Sequence, residues 1–233
     1  MKNPLYKVVM DTLVARIASG AMPPGSMLPS EIQLGQELGV AQGTARKALS
    51  ELEARGLVQR VQGRGTFVTQ RTTEDSLFKF FRVRRRDGTI QEPTLVSETI
   101  RERASKKGER VLLTGEPVRV FEIARVRSLG AAFPFVEQSV VPVELFPGLK
   151  TRSPLPNTLY VFFQQAYSCM IVRAEETLSA ALAGEERAGV LGVAPEAPVM
   201  EIRRLAYDAL DQVVELRTMT FRTDTHAYFV SLT

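Results

Sequence analysis

SEIQLGQELGVAQGTARKALSELEARGLVQRVQGRGTFV, residues 30–68, holds two short amphipathic segments joined by Gly39-Val40-Ala41 and followed by two β-prone pieces around Gln62-Gly63-Arg64-Gly65. Ser30 precedes the first apolar run and Gln33 follows one turn later, so the serine hydroxyl can cap the helix while the glutamine bonds back to the cap. Ile32, Leu34 and Leu38 then supply an apolar stripe, and Gly39 takes the left-handed position that ends the helix. In the second segment Ala45, Ala48, Leu49 and Leu52 share one face, Gln42, Thr44, Arg46 and Lys47 lie at or beside its exposed start, and Gly56 stops it. Two helices across a glycine turn, followed by a Gly-Arg-Gly hairpin, read as a winged helix-turn-helix.

The exposed start of a second helix reaches base edges in a major groove, while nearby arginine and lysine neutralise phosphates. Gly63 and Gly65 allow positive φ at the wing tip, so that the backbone and Arg64 can approach a sugar-phosphate chain closely. Taken singly these features are ordinary, because charged helix faces are usually just solvated and glycines make many hairpin turns; the combination carries the reading. Upstream, Leu5, Val9, Leu13 and Ile17 recur every four residues and predict a first helix ended by Gly20, and Pro23, Pro24, Gly25 and Pro29 make a stiff connection into Ser30.

The chain of 233 residues is long enough for one or two domains, and its net charge is +4. Residues 1–70 hold eight basic against five acidic side chains, a modest positive field that suits a duplex partner. One cysteine, Cys169, excludes an intrachain disulfide, and one histidine, His226, does not fit the common zinc spacings, so neither a metal nor another cofactor is expected. No apolar run reaches membrane-spanning length and no signal-like segment opens the chain, which predicts a cytoplasmic protein with no membrane partner.

Within residues 4–68, the pieces PLYKVVMDTLVARIASG, PPGSMLPSE, the V-x-x-x-T-x-R-x-A-L run from Val40 and GLVQRVQGRGTFV together resemble the DNA-binding domain of the GntR family of bacterial transcription regulators. The resemblance implies a homodimer on a short palindromic operator in double-stranded DNA, with helix starts in successive major grooves and wings toward the minor groove. It places Thr44 and Arg46 at recognition-helix contacts and Gly63 and Arg64 at the wing contact; Gln42 and Lys47 complete the candidate DNA-binding set. Three positions depart from the family pattern: Ala41 where it mostly has Ser or Thr, Gln42 where it mostly has Arg, and Ile32 where many members have Arg. The missing cap at Ala41 should cost about 1 kcal/mol of helix start.

Residues 69–76, TQRTTEDS, are polar and aperiodic and read as a linker between a domain over 1–68 and another over 77–233. Beyond it, β-prone runs cover 77–84, 94–100, 118–128, 133–141, 170–177, 198–207, 213–222 and 227–232, with helical pieces at 109–113, 159–165 and 180–191. The expected fold is α+β with an antiparallel sheet. The commonest C-terminal class of the GntR family is all-helical and often carries a histidine-rich metal site, which a β-rich half with one histidine does not match. FEIARVRSLGAAFPFVEQSVVP, NTLYVFF and VVELRTMTFRTDTHAYFV instead resemble the UTRA effector-binding domain of the HutC subfamily, which is similar in fold to chorismate lyase.

Arg125 and Arg127 alternate along one strand and so leave the same face of the sheet. Two guanidiniums on one face need an anion or carboxylates between them, which makes them a candidate anion clamp for a phosphate or carboxylate. The resemblance places them in an effector pocket with Glu137, Thr158, Tyr160 and Glu215. The alternative is an exposed strand face whose arginines pair with Glu122 or Glu201. The expected function is a ligand-responsive transcription regulator, most simply a repressor released by a small anionic metabolite. Two other classes stay open: an enzyme using the lyase-like domain, against which stands the lack of a nucleophile with an adjacent base, and a DNA-binding regulator without ligand control.

Overall fold

The computed structural model describes residues 4–130 and 132–231, and only the backbone of residues 76–78. It divides into two compact units. The first comprises Met1–Thr72, Tyr160–Val172 and Asp208–Asp211; the second comprises Thr73–Leu159, Arg173–Tyr207 and Gln212–Thr233.

The first unit opens with α1 (Leu5–Ala18), α2 (Glu31–Leu38) and α3 (Gln42–Ala54), then pairs β1 (Val58–Val61) with β2 (Gly65–Val68). The expected capping box is present: Ser30 Oγ accepts from Gln33 N at 3.3 Å and Gln33 Oε1 accepts from Ser30 N at 2.8 Å. Gly39 ends α2 in the left-handed region at φ 64°. A second glycine, Gly35, sets how closely the turn can fold back, because a Cβ there would lie 2.8 Å from the Val40 carbonyl oxygen. Ala41 stands extended at the start of α3 and offers no side-chain cap. The wing is antiparallel, with Val58 opposite Val68 and Val61 opposite Gly65.

The core of this unit gathers Val9, Leu13, Ile17, Leu28, Leu34, Leu49, Leu52 and Leu57. Each fully buried leucine is worth roughly 1.5–3 kcal/mol over its exposed state. Leu5, expected on the same face of α1, is 61 % exposed, because the buried stripe runs through Val9, Met10, Leu13, Val14 and Ile17 instead. Ile32 is likewise 56 % exposed, not part of the stripe of α2. Met170 and Ala209 also enter this core, so the unit draws on chain far beyond residue 68.

The second unit is built on a six-stranded sheet of β4 (Pro93–Ala104), β5 (Arg119–Leu129), β6 (Phe133–Pro142), β7 (Ile171–Leu182), β8 (Pro198–Asp208) and β9 (Val213–Arg222) in the order β4-β5-β6-β9-β8-β7. The pairings of β4 with β5, β5 with β6, β6 with β9 and β9 with β8 are antiparallel. A small pair joins β3 (Val83–Arg85) to β10 (His226–Tyr228). Its helices are α4 (Thr73–Phe80), α5 (Lys107–Leu112) and α7 (Gly184–Leu191), while α6 (Leu159–Tyr167) belongs from Tyr160 onward to the first unit.

Three local expectations are corrected. The run over 77–84 is helical up to Phe80, with Glu74 and Asp75 in the first turn and Lys79 in the last, the charge order that complements a helix dipole; the strand begins only at Val83. Thr73–Phe80 also takes in the end of the stretch read as a linker. The piece over 180–191 starts its helix at Gly184, because residues 180–182 stay in β7, a strand paired with β8. Of the final run over 227–232, only Ala227 and Tyr228 are strand; residue 232 lies outside the described residues.

Candidate functional site

At the start of α3, Gln42, Arg46 and Lys47 are exposed and Thr44 is half-buried, its face set by the burial of Ala45, Ala48 and Leu49 one turn around. These side chains do not project freely. Arg46 Nε donates to Glu31 Oε2 at 2.9 Å, and Gln42 Nε2 donates to the same oxygen at 3.3 Å. Arg60 of β1 has a terminal nitrogen 4.0 Å from Glu31 Oε1 and donates to Ser50 Oγ at 3.0 Å. The Lys47 ammonium lies 4.2 Å from the Tyr6 ring centroid, a cation–π contact that ties it to α1. At the wing tip Gly63 has φ 72° with open space where a Cβ would stand, and Arg64 is exposed 5.7 Å from the Phe67 ring.

In the second unit Arg125 and Arg127 do share a face of β5, and both are buried, at 3 % and 4 % exposure. Their partners are not the residues expected. Glu122 binds Arg103, and Glu201 binds Arg187 and Arg203, because those carboxylates stand on the opposite face of their strands. Arg125 instead lies 3.2 Å from Glu98 of β4 and donates to the carbonyl oxygens of Leu155, Pro156 and Asn157. Arg127 donates to Glu137 Oε2 at 3.0 Å and to Asn157 Oδ1 at 2.9 Å.

The array continues along the sheet. Arg217 lies 3.5 Å from Glu137 and 2.8 Å from the fully buried Glu215, and on β8 the buried Arg204 pairs with Glu176 of β7 at 2.5 Å. Four guanidiniums thus face four carboxylates. Burial would raise the Glu137 pKa, but Arg127, Arg217 and Arg125 outweigh it and hold the carboxyl at about 2. For Arg125, burial and then the neighbouring Arg127 push the guanidinium down to about 10, against the pull of Glu137 and Glu98, so it is charged at neutral pH. Among the described residues, the buried Arg127 Nε has no hydrogen-bond partner, and neither do Arg125 Nε and Glu98 Oε2, which approach each other without bonding alignment. A small recess of about 10 Å³ beside Glu137 and Arg217, lined also by Phe80, Phe81, Ile202 and Met219, has room for about one water.

Of the predicted ligand residues, the structure brings together Arg125, Arg127, Glu137 and Glu215. Thr158 is half-buried just before α6, and Tyr160, 3 % exposed within α6, is grouped with the first unit. Sequence reasoning missed Glu98, Asn157 and Arg217. Arg217 was legible, standing two residues from Glu215 on one strand face; Glu98 and Asn157 reach the site through pairings that no local pattern announces. Gln164 of α6 was also missed: 1 % exposed, it accepts from Arg71 N at 3.0 Å and donates to the Thr69 carbonyl at 2.8 Å. His226 opens β10, is 4 % exposed and stacks on Phe133 at 3.6 Å; burial and then Arg85 lower its pKa. Arg222 pairs with Asp224 and donates to the Ala132 carbonyl, which fits a structural role.

A winged helix-turn-helix with a basic helix start, and an antiparallel sheet carrying a buried charge array, define a DNA-binding regulator with a small-molecule domain. Residues 94–227 match the UTRA domain and residues 5–68 match the bacterial regulatory proteins of the gntR family. The chain belongs to this family, in its UTRA-bearing, HutC-type branch, and is a ligand-responsive transcription regulator rather than an enzyme. It is 29 % identical over 240 residues to the HTH-type transcriptional repressor NagR of Bacillus subtilis, covering 97 % of this chain and 93 % of the relative. The mannosyl-D-glycerate transport/metabolism system repressor MngR of Escherichia coli is 27 % identical over 97 % of this chain and 95 % of its own length. Among solved structures, the ligand-binding domain of a protein assigned to the GntR-family regulators of Bordetella bronchiseptica superposes with TM-score 0.59 at 26 % identity, over 66 % of this chain and 98 % of that one. No helix among the described residues is long and apolar enough to cross a membrane.

Proposed function

We propose that this chain is a cytoplasmic homodimeric repressor that leaves a palindromic operator when a small anionic metabolite engages Arg125 and Arg127. Residues 1–68 read the DNA through Gln42, Thr44, Arg46, Lys47, Gly63 and Arg64; residues 77–233 hold the effector and the second subunit, with 69–76 as the connection. The observation that carries the reading is the pair of buried guanidiniums on one strand, both of whose Nε atoms lack a hydrogen-bond acceptor among the described residues. Beside Glu98, Arg125 is held by the backbone carbonyls of residues 155–157, neutral partners that a phosphate or carboxylate would outcompete for a buried cation. Glu137 and Glu215 accept from ligand hydroxyls or an amine, while Thr158 contributes a hydroxyl just before α6. A sugar phosphate or sugar carboxylate supplies both kinds of partner, and one relative is named for a mannosyl-D-glycerate system. A ligand anion on Arg125 takes the place of the carbonyl oxygens of residues 155–157.

Thermal-shift screening of sugar phosphates and small carboxylates tests this, since a ligand at 100 times its Kd stabilises by about 2.7 kcal/mol. Arg127→Lys keeps the charge but loses the planar fork, and is expected to abolish the shift while leaving operator binding in place. A full shift in that variant, or shifts from neutral sugars alone, would refute the anion clamp.

A further inference from the structure

We propose that Glu31 is a positioning residue that sets the sequence specificity of the recognition helix. It stands at the first position of α2, half-buried, and a single oxygen of its carboxylate holds both Arg46 and Gln42. The inference rests on the reading that these two side chains face DNA.

A carboxylate on this face repels phosphates, so its presence weakens binding to any duplex. Its geometry offsets that cost selectively. Arg46 is engaged through Nε, and among the described residues neither of its terminal nitrogens has a partner. The guanidinium is therefore held by its inner edge, with its outer edge, the one that forms two parallel bonds to guanine O6 and N7, turned away from the carboxylate. For Gln42, donation from Nε2 to Glu31 fixes which way the amide lies and leaves Oε1 and one N–H for a base. The other carboxylate oxygen lies 4.0 Å from Arg60 on β1, so the same residue touches groups from the helix start and the wing strand. The arginine is 63 % exposed, and without this partner its long side chain would sample phosphates and bases alike.

The test uses the full chain, duplexes selected by it from a random library, and unselected duplexes of equal length. Glu31→Ala is expected to tighten binding to unselected duplexes several-fold and to steepen the salt dependence by about one phosphate contact. The ratio of selected to unselected affinity should fall about tenfold to a hundredfold. Glu31→Gln, which keeps an acceptor and the helix start, should restore part of the ratio and serves if the alanine variant does not fold. In an Arg46→Ala background, Glu31→Ala should change the ratio little. Parallel changes on selected and unselected DNA, or an unchanged ratio in both Glu31 variants, would overturn the proposal. If Arg46→Ala alone leaves binding to selected duplexes unaltered, the placement of this face at DNA fails, and Glu31 with it; if Arg46→Ala weakens binding while both Glu31 variants do nothing, only the Glu31 inference falls.

Discussion

Glu137 shows how a single residue ties stability to pH. Its carboxyl is held at about 2 in the folded chain against 4.5 when free, so as pH falls below 4.5 the unfolded chain takes up the proton first. The stabilisation is complete above pH 4.5 and is lost as pH falls toward 2. It amounts to about 3 kcal/mol at neutral pH. Denaturant unfolding at pH 7 and pH 3 should show about 2 kcal/mol of that loss, and Glu137→Gln should flatten it, while itself destabilising by about 3–5 kcal/mol because Arg127 loses its carboxylate and Arg217 keeps only Glu215. The same reasoning limits what alanine can teach at Arg125, since removing it strands the buried Glu98. At the DNA face the residue-scale prediction concerns Gln42. Glutamine pairs with adenine N6 and N7 and arginine with guanine O6 and N7, each good pair discriminating by about 1–3 kcal/mol. Gln42→Arg should shift the selected half-site from adenine toward guanine at one position, and identical preferences in a library selection would mean that Gln42 faces no base.

Among the elements, α6 holds the most informative contact. Its Gln164 satisfies the Arg71 amide and the Thr69 carbonyl, the first backbone groups beyond the wing strand. Gln164→Leu removes both bonds, at about 1–3 kcal/mol for the buried one to the Arg71 amide and less for the part-buried Thr69 carbonyl. Hydrogen exchange should report faster loss at the Arg71 amide, and unchanged protection there would show that another group takes over. The elements also show where pattern reading fails. Leu77-Phe78-Lys79-Phe80 is a short apolar run that strand and helix claim equally, and Glu74 and Asp75 ahead of it were the better signal for a helix start. Conversely, Ala180 and Ala181 favour helix intrinsically, yet pairing within the sheet keeps them in β7.

For the whole molecule the expectation is a homodimer, because a single winged domain offers few base contacts and a palindrome demands two. Light scattering of the full chain at micromolar concentration should give twice the 25.8 kDa of the single chain; a monomer that still binds a palindromic site with high affinity would contradict it.

What the sequence determined by itself is what short-range physics decides. The Ser30–Gln33 box, the left-handed Gly39, the uncapped Ala41, the faces of α2 and α3 and the glycine wing each depend on residues within a turn or hairpin, so their spacing already contains the answer. The alternation that puts Arg125 and Arg127 on one face belongs to the same class. Only the tertiary structure decided what those arginines meet, since Glu98 and Asn157 arrive through the β4 pairing and a loop about thirty residues away in the chain. It likewise decided that Met170 and Ala209 complete the first core, and that Glu31 rather than solvent holds Arg46. Those partners are chosen by which distant segments pack together, and a charged or apolar side chain carries no mark in the sequence of which distant partner will satisfy it.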